Sequence, residues 1–295
     1  MIELKLNLKP LIKKLQISSK RTLSGEMVGE YRTAFRGKGL DFVGYRTYVP
    51  TDDANMIDWK ASLRSNDLLV KILIEERFLK VLLLFDVSNS MLFSSTDKLK
   101  CEYAAELIAS LSFVILHTGD GVGLVMLNNN IVKEIPINLG PKQYYMIISA
   151  LSNPAYYGGK FDLVRVLRSV LDRVKRDTQI IIVSDFIGVA DEWEDTLKLF
   201  GGKCEISGIM IRDPVDNSFP TEKKQILLED PYSSNKLVVD PKIVKEDYDR
   251  KAREQIERIK DSFAKINSGF LELETTQSFV MPIIRFFHAR RKKWR

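Results

Sequence analysis

The sequence predicts an α/β fold: a doubly wound, mostly parallel sheet with helices on both faces, preceded by an N-terminal β-rich extension. Three observations predict it. From residue 80 onward, apolar runs of strand length alternate with amphipathic stretches of helix length, the pattern of successive strand and helix units. The run Val81-Leu82-Leu83-Leu84-Phe85 has no polar face, as expected of a strand covered on both sides. Two of the apolar runs end directly in Asp- and Ser-rich loops, the place where open α/β sheets bind ligands.

Taken in order, Met1 to Pro10 alternates Ile2, Leu4, Leu6 and Leu8 with polar residues, without the unbroken apolar block of a signal peptide. Strands are predicted at Phe42–Val49 and Leu68–Ile74, separated by turn-rich sequence around Pro50, Thr51, Asp52 and Asp53. Residues 1–79 form the extension and 80–295 the main domain. After Val81–Phe85, Thr96 is placed to cap a helix whose Leu99, Tyr103, Leu107, Ile108, Leu111 and Ile115 recur at three and four and which stops near Gly119. A second buried strand, Val122–Leu127, turns through Asn128, Asn129 and Asn130 into Ile131–Ile137. A helix from Leu163 to Val174 precedes the strongly apolar strand Ile180–Val183. A helix through Trp193 and Leu197 and a strand at Ile206–Ile211 follow. A long helix, Lys242 to Ile266, carries Tyr248, Ala252, Ile256, Ile259 and Phe263 on one stripe and leads to the strand Phe270–Leu273 and a basic C-terminal helix.

The composition excludes several classes. With 295 residues, 45% hydrophobic and 28% charged, the chain is too apolar for disorder. Cys101, Cys204, His117 and His288 are too few and too scattered for a zinc site. Both cysteines lie in apolar segments, so two free thiols in a reducing compartment are expected. No segment approaches the ~20 apolar residues of a membrane span, and a cytoplasmic protein is expected. Of the 45 basic residues, six crowd into Arg285 to Arg295, and the other 39 match 39 acidic ones. Such a tail suits a solvated helix C-terminus, and no nucleic-acid partner is expected.

The candidate site is Asp86-Val87-Ser88-Asn89-Ser90 after the first buried strand and Ser184-Asp185 after the Ile180 strand. Oxygens at Asp86, Ser88 and Ser90 recur every second residue in a loop and can converge. Two carboxylates with neutral hydroxyls form a hard-oxygen set suited to Mg²⁺, with Mn²⁺ as second choice. A metal held directly by Ser88 and Ser90, with Asp86 and Asp185 one water further out, keeps much of its charge and wants an outside anion. Asp and Ser after a strand are also ordinary turn and capping residues.

These residues resemble a known pattern. Asp86-Val-Ser88-Asn-Ser90, then Gly119-Asp120-Gly121-Val122-Gly123 and Val183-Ser184-Asp185-Phe186, look like a von Willebrand factor type A domain with its metal-ion-dependent adhesion site. Upstream, Gly37-Lys-Gly39-Leu-Asp41-Phe42, Tyr45-Arg46-Thr-Tyr48-Val-Pro50, Ile57-Asp58-Trp59 and Glu75-Glu76-Arg77 are similar to the prokaryotic family called Domain of Unknown Function 58. The resemblance implies a non-catalytic binding module that works with a MoxR-type AAA+ ATPase in chaperone-like assembly or maturation. In it the metal takes a carboxylate from the ATPase or from a client as its last ligand. Type A domains commonly add a third direct ligand from a Gly-Gly-Thr-like loop, whereas the matching loop here reads Gly158-Gly159-Lys160-Phe161-Asp162. Lys160 either points away or places its ammonium at the cation position, and Asp162 is an alternative ligand.

Arg46 and Asp58 either dock the ATPase or make turns and ion pairs, and Trp59 reads as a core anchor. The rival reading is an Mg²⁺-dependent phosphohydrolase or phosphotransferase with Asp86 as nucleophile. Such chemistry generally wants a second carboxylate two residues on, where Ser88 stands. Gly37-Lys38-Gly39 lacks the third glycine of a nucleotide fingerprint, no P-loop is present, and Ser88 is not in a GxSxG elbow.

Overall fold

The computed structural model describes residues 41–74, 78–221, 225–233 and 235–291. Met1–Pro10, Gly37–Gly39, Glu75–Arg77 and the end of the basic tail lie outside them. The described residues fall into two compact units, one within Phe35–Leu79 and one running from Lys80 onward.

In the smaller unit, β1 (Asp41–Thr47) pairs antiparallel with β2 (Leu69–Ile74), Arg46 opposite Val70. Between them lies a helix the sequence reading did not foresee, α1 (Trp59–Ser65). It starts where it does because the Asp58 carboxylate accepts the free N–H groups of Lys60 and Ala61 at 3.1 and 3.2 Å. It ends at Asn66, in the left-handed region at φ 64°, which Asn tolerates. Leu69 N–H donates to Ser62 Oγ at 2.9 Å and ties α1 to β2. Trp59 is 62% exposed, so it is not a core anchor. As the first residue of α1 its indole turns to solvent, and the unit buries Ser62 and Val70 instead.

The larger unit is built on a six-stranded sheet: β3 (Lys80–Asp86), β4 (Gly121–Leu127), β5 (Ile131–Asn138), β6 (Thr178–Ser184), β7 (Glu205–Arg212) and β10 (Gly269–Glu274). The spatial order is β5-β4-β3-β6-β7-β10. Counted along the chain from β3, this is the 3-2-1-4-5-6 order of doubly wound folds. Only β5 runs antiparallel, because the three-asparagine turn returns it directly beside β4. The helices are α2 (Lys100–His117), α3 (Pro141–Leu151), α4 (Leu163–Leu171), α5 (Trp193–Lys203), the short α6 (Pro214–Asn217), α7 (Pro241–Lys265) and α8 (Val280–Arg291). Between α6 and α7 stands a separate hairpin of β8 (Ile226–Glu229) and β9 (Lys236–Val239).

Strand alternation divides the core. Leu82, Leu84, Ile180, Ile182, Ile206 and Met210 pack with Leu167 of α4, Trp193 and Phe200 of α5 and Phe263 of α7. The intervening Leu83, Phe85, Ile181 and Val183 are also buried, on the opposite face, where α2 crosses β3, β4 and β7. Gly208 lets α7 approach: a Cβ there would lie 2.5 Å from the Phe263 ring. Cys101 and Cys204 are free and buried. Among the described residues no helix is long and apolar enough to cross a membrane.

Candidate functional site

β3 and β6 are adjacent and parallel, so the loops leaving their carboxyl ends meet, and Asp86, Ser88, Ser90 and Asp185 come together. All four are at most 2% exposed. Asp86 Oδ1 accepts from Ser88 N–H at 2.9 Å, an Asx turn that folds the loop back over the strand end, and its Oδ2 accepts from Ser184 Oγ at 2.6 Å. The Ser88 and Ser90 hydroxyl oxygens stand 3.3 Å apart. Burial, and then the nearby charge of Asp185, push the Asp86 carboxyl up to about 7 against the hydrogen bonds from Ser184 and Ser88.

The loop after β5 and α3 closes one side. Gly158 N–H donates to Val87 O at 2.7 Å and Asn89 N–H to Gly159 O at 2.9 Å. Asn89 Oδ1 accepts from Gly159 N–H, and Asn128 Nδ2 donates to Gly158 O, both at 2.8 Å. Gly158 and Gly159 have φ near +100°, and a Cβ on Gly159 would lie 2.6 Å from Asn128 Nδ2. Lys160 is exposed, whereas the carboxylates of Asp86 and Asp185 are buried. Asp162 caps α4, accepting from Arg165 N–H at 2.9 Å. Neither enters the site.

The ammonium inside it belongs to Lys100, at the start of α2. Its Nζ lies 2.7 Å from Asp185 Oδ2 and 2.8 Å from Asp216 Oδ2, with the lysine 1% exposed. Burial alone would lower its pKa, but the pull of Asp185 and Asp216 outweighs it, and the net shift is upward. Asp216 is held by Asp213 N–H at 3.0 Å, and Asp213 in turn accepts from Ser95 N–H at 2.8 Å. Tyr232, in the turn of the β8–β9 hairpin, places its hydroxyl 3.2 Å from Ser88 Oγ and 2.9 Å from Ser90 Oγ. Sequence reasoning missed Lys100, Asp216 and Tyr232, because 85 residues separate Lys100 from Asp185 and 142 separate Tyr232 from Ser90.

Among the described residues no group of three or more acidic, histidine or cysteine side chains is placed to hold a metal; what the site gathers is hard oxygen, two carboxylates with two serine hydroxyls, the kind of donor Mg²⁺ takes. Two of these oxygen donors are the buried carboxylates of Asp86 and Asp185, and Asp185 shares the Lys100 ammonium with Asp216. The two serine hydroxyls are neutral, and Asp185 keeps acceptor capacity beyond the Lys100 and Ile187 N–H bonds it receives. Arg46 and Asp58 lie in the smaller unit. Arg46 makes a two-pronged pair with Asp52 at 2.5 and 2.6 Å, which with the Val49 N–H holds the Asp52 carboxyl down at about 2. Asp58 caps α1, accepts from Tyr45 Oη at 3.0 Å and pairs with Lys71 at 3.1 Å.

Strand order and the antiparallel edge strand define a doubly wound α/β domain, with an Asp-x-Ser-x-Ser loop at the carboxyl end of its central strand β3. The chain belongs to the family described as Protein of unknown function DUF58, which matches residues 44–258. It is 24% identical over 285 residues to the uncharacterized proteins Rv1480 of Mycobacterium tuberculosis and Mb1516 of Mycobacterium bovis, covering 95% of this chain and 89% of each relative. Among solved structures it is similar to the conserved hypothetical protein BatB from Bacteroides thetaiotaomicron (TM-score 0.49, 16% identity, 72% of this chain and 99% of that one). It is also similar to a von Willebrand factor type A protein from Catenulispora acidiphila (TM-score 0.44, 11% identity, 76% of this chain and 44% of that one).

Proposed function

We propose that the protein is a non-catalytic, metal-dependent protein-binding module that works with a MoxR-type AAA+ ATPase in chaperone-like assembly or maturation. Ser88 and Ser90 hold Mg²⁺, or Mn²⁺ in second place, directly, and Asp86 and Asp185 hold it through water. The metal, left with net positive charge, grips an acidic side chain of the ATPase or its client. The observation that carries this reading is the meeting of Asp86, Ser88, Ser90 and Asp185 in one buried cluster with more carboxylate than ammonium. Removing charged groups from water costs several kcal/mol per ion unless they are compensated, and a divalent cation compensates them. The DUF58 resemblance supplies the ATPase as partner. Against the phosphotransferase alternative, Asp86 is buried and both its oxygens already accept hydrogen bonds, a poor setting for a nucleophile.

The test is affinity capture from native lysate in Mg²⁺ and in EDTA, with wild type and Asp86→Ala. An AAA+ ATPase recovered only by wild type in Mg²⁺ is the expected result. Recovery in EDTA as well would remove the metal from the contact. Failure to recover one in any condition, together with phosphatase turnover lost in Asp86→Ala, would overturn the reading.

A further inference from the structure

Position 160 carries a lysine where the resemblance leads one to expect a third direct oxygen, and Lys160 stays outside the cluster. A different hydroxyl stands against the two serines. We propose that Tyr232 is a built-in ligand of the centre: its hydroxyl completes a face of three neutral oxygens with Ser88 and Ser90 and shuts out an external carboxylate until the β8–β9 hairpin lifts. This rests on the metal reading above.

The three oxygens form a triangle with edges of 3.3, 3.2 and 2.9 Å. Oxygens at ~2.1 Å around an octahedral Mg²⁺ stand about 3.0 Å apart along each edge. Hydroxyls bonded only to one another prefer roughly 2.7–2.8 Å. Two of the edges are therefore long for hydrogen bonds and close to what a shared cation requires.

The turn is built to deliver the hydroxyl. Asp230 Oδ1 accepts from Tyr232 N–H at 2.9 Å, and Asn89 Nδ2, in the Asp-x-Ser-x-Ser loop itself, donates to Pro231 O at 2.8 Å. The ring lies over Gly188, at φ +78°, where a Cβ would come within 3.2 Å of it. Among the described residues, β8 and β9 pair only with each other, so the hairpin can lift without breaking the six-stranded sheet. With Tyr232 seated, Asp86, Ser88, Ser90 and Asp185 are all sealed from solvent, and a partner's carboxylate has no route to the serines.

The test uses the full chain as wild type, Tyr232→Phe and Ser90→Ala. Phenylalanine keeps the ring packing and removes only the hydroxyl. Mg²⁺ binding is read by calorimetry, and the water-proton relaxivity of bound Mn²⁺ counts waters on the metal. The expected result is Mg²⁺ affinity lowered roughly tenfold in Tyr232→Phe, higher Mn²⁺ relaxivity as water takes the vacated position, and acetate displacing that water in the variant and not in wild type. Metal binding and relaxivity identical in wild type and Tyr232→Phe would overturn the proposal while leaving the metal reading intact. No metal binding by wild type, or binding untouched by Ser90→Ala, would overturn both.

Discussion

Lys100 Nζ donates to Asp185 Oδ2 at 2.7 Å with both side chains sealed from solvent. The bond joins the first helix of the sheet domain to the loop after its β6 strand, so a charged pair sits where a doubly wound core would otherwise be apolar. Asp216 shares the same ammonium. The three side chains set the background charge against which any cation at Ser88 and Ser90 must bind.

Lys100→Met leaves Asp185 and Asp216 buried without their counter-charge. Breaking such a pair from one side costs ~3–5 kcal/mol, and urea unfolding monitored by circular dichroism should show a loss of that size. A loss below ~1 kcal/mol would show that the ammonium is dispensable.

The pH dependence follows from Asp86, whose carboxyl is raised from 3.8 to about 7 in the folded chain. The folded state holds that proton more tightly than the unfolded one. Its contribution is therefore full below pH ~4 and disappears as pH rises through 7. In EDTA, Asp86→Asn should flatten the fall in melting temperature over that window; on the metal reading proposed above, Mg²⁺ should raise the melting temperature at pH 8 in wild type and not in this variant. An unchanged slope would mean that Asp86 does not titrate in this range.

Gly159→Ala forces a Cβ onto a residue at φ +98° and against Asn128. Strain of this kind costs ~1–3 kcal/mol. The variant should unfold at lower denaturant and bind Mg²⁺ more weakly, since Asn89 is anchored through Gly159. Calorimetry on the folded variant separates the two effects.

Gly208→Ala places a methyl 2.5 Å from the Phe263 ring and should destabilise the domain by ~1–3 kcal/mol through overpacking. Combined with Phe263→Leu, the two changes should be less costly than the sum of the single changes. Strict additivity in the double-mutant cycle would mean that the close approach of α7 is not what limits residue 208.

Much of the main domain was legible in the sequence because its signals are local. The buried runs Val81–Phe85 and Ile180–Val183 have no polar face, and the asparagine turn, the Gly119 stop and the stripe on α7 lie within one or two residues of where the structure puts them. The start of α2 was placed at Thr96, but the helix begins at Lys100, with Glu102 accepting Leu99 N–H at 3.1 Å. α3 was missed although Pro141 occupies its first turn, since Gly140-Pro141 reads equally well as a loop. β8 and β9 are four residues each and half exposed, too short for a periodicity to register. The strand ends point to Asp86, Ser88, Ser90 and Asp185, which the structure brings together. They do not point to Lys100, because a lysine in the first turn of a helix looks solvated until Asp185 and Asp216 arrive from 85 and 116 residues further along.

That separation bears on how the chain is made. A ribosome releases α2 long before β6 and β7, so for that interval Lys100 has no carboxylate to bury against. Until Asp185 follows, docking the helix would bury the Lys100 ammonium without its carboxylate partner. Pairings this distant along the chain slow folding, and the last turn of the lock waits for a stretch of polypeptide that contributes nothing to the central strands.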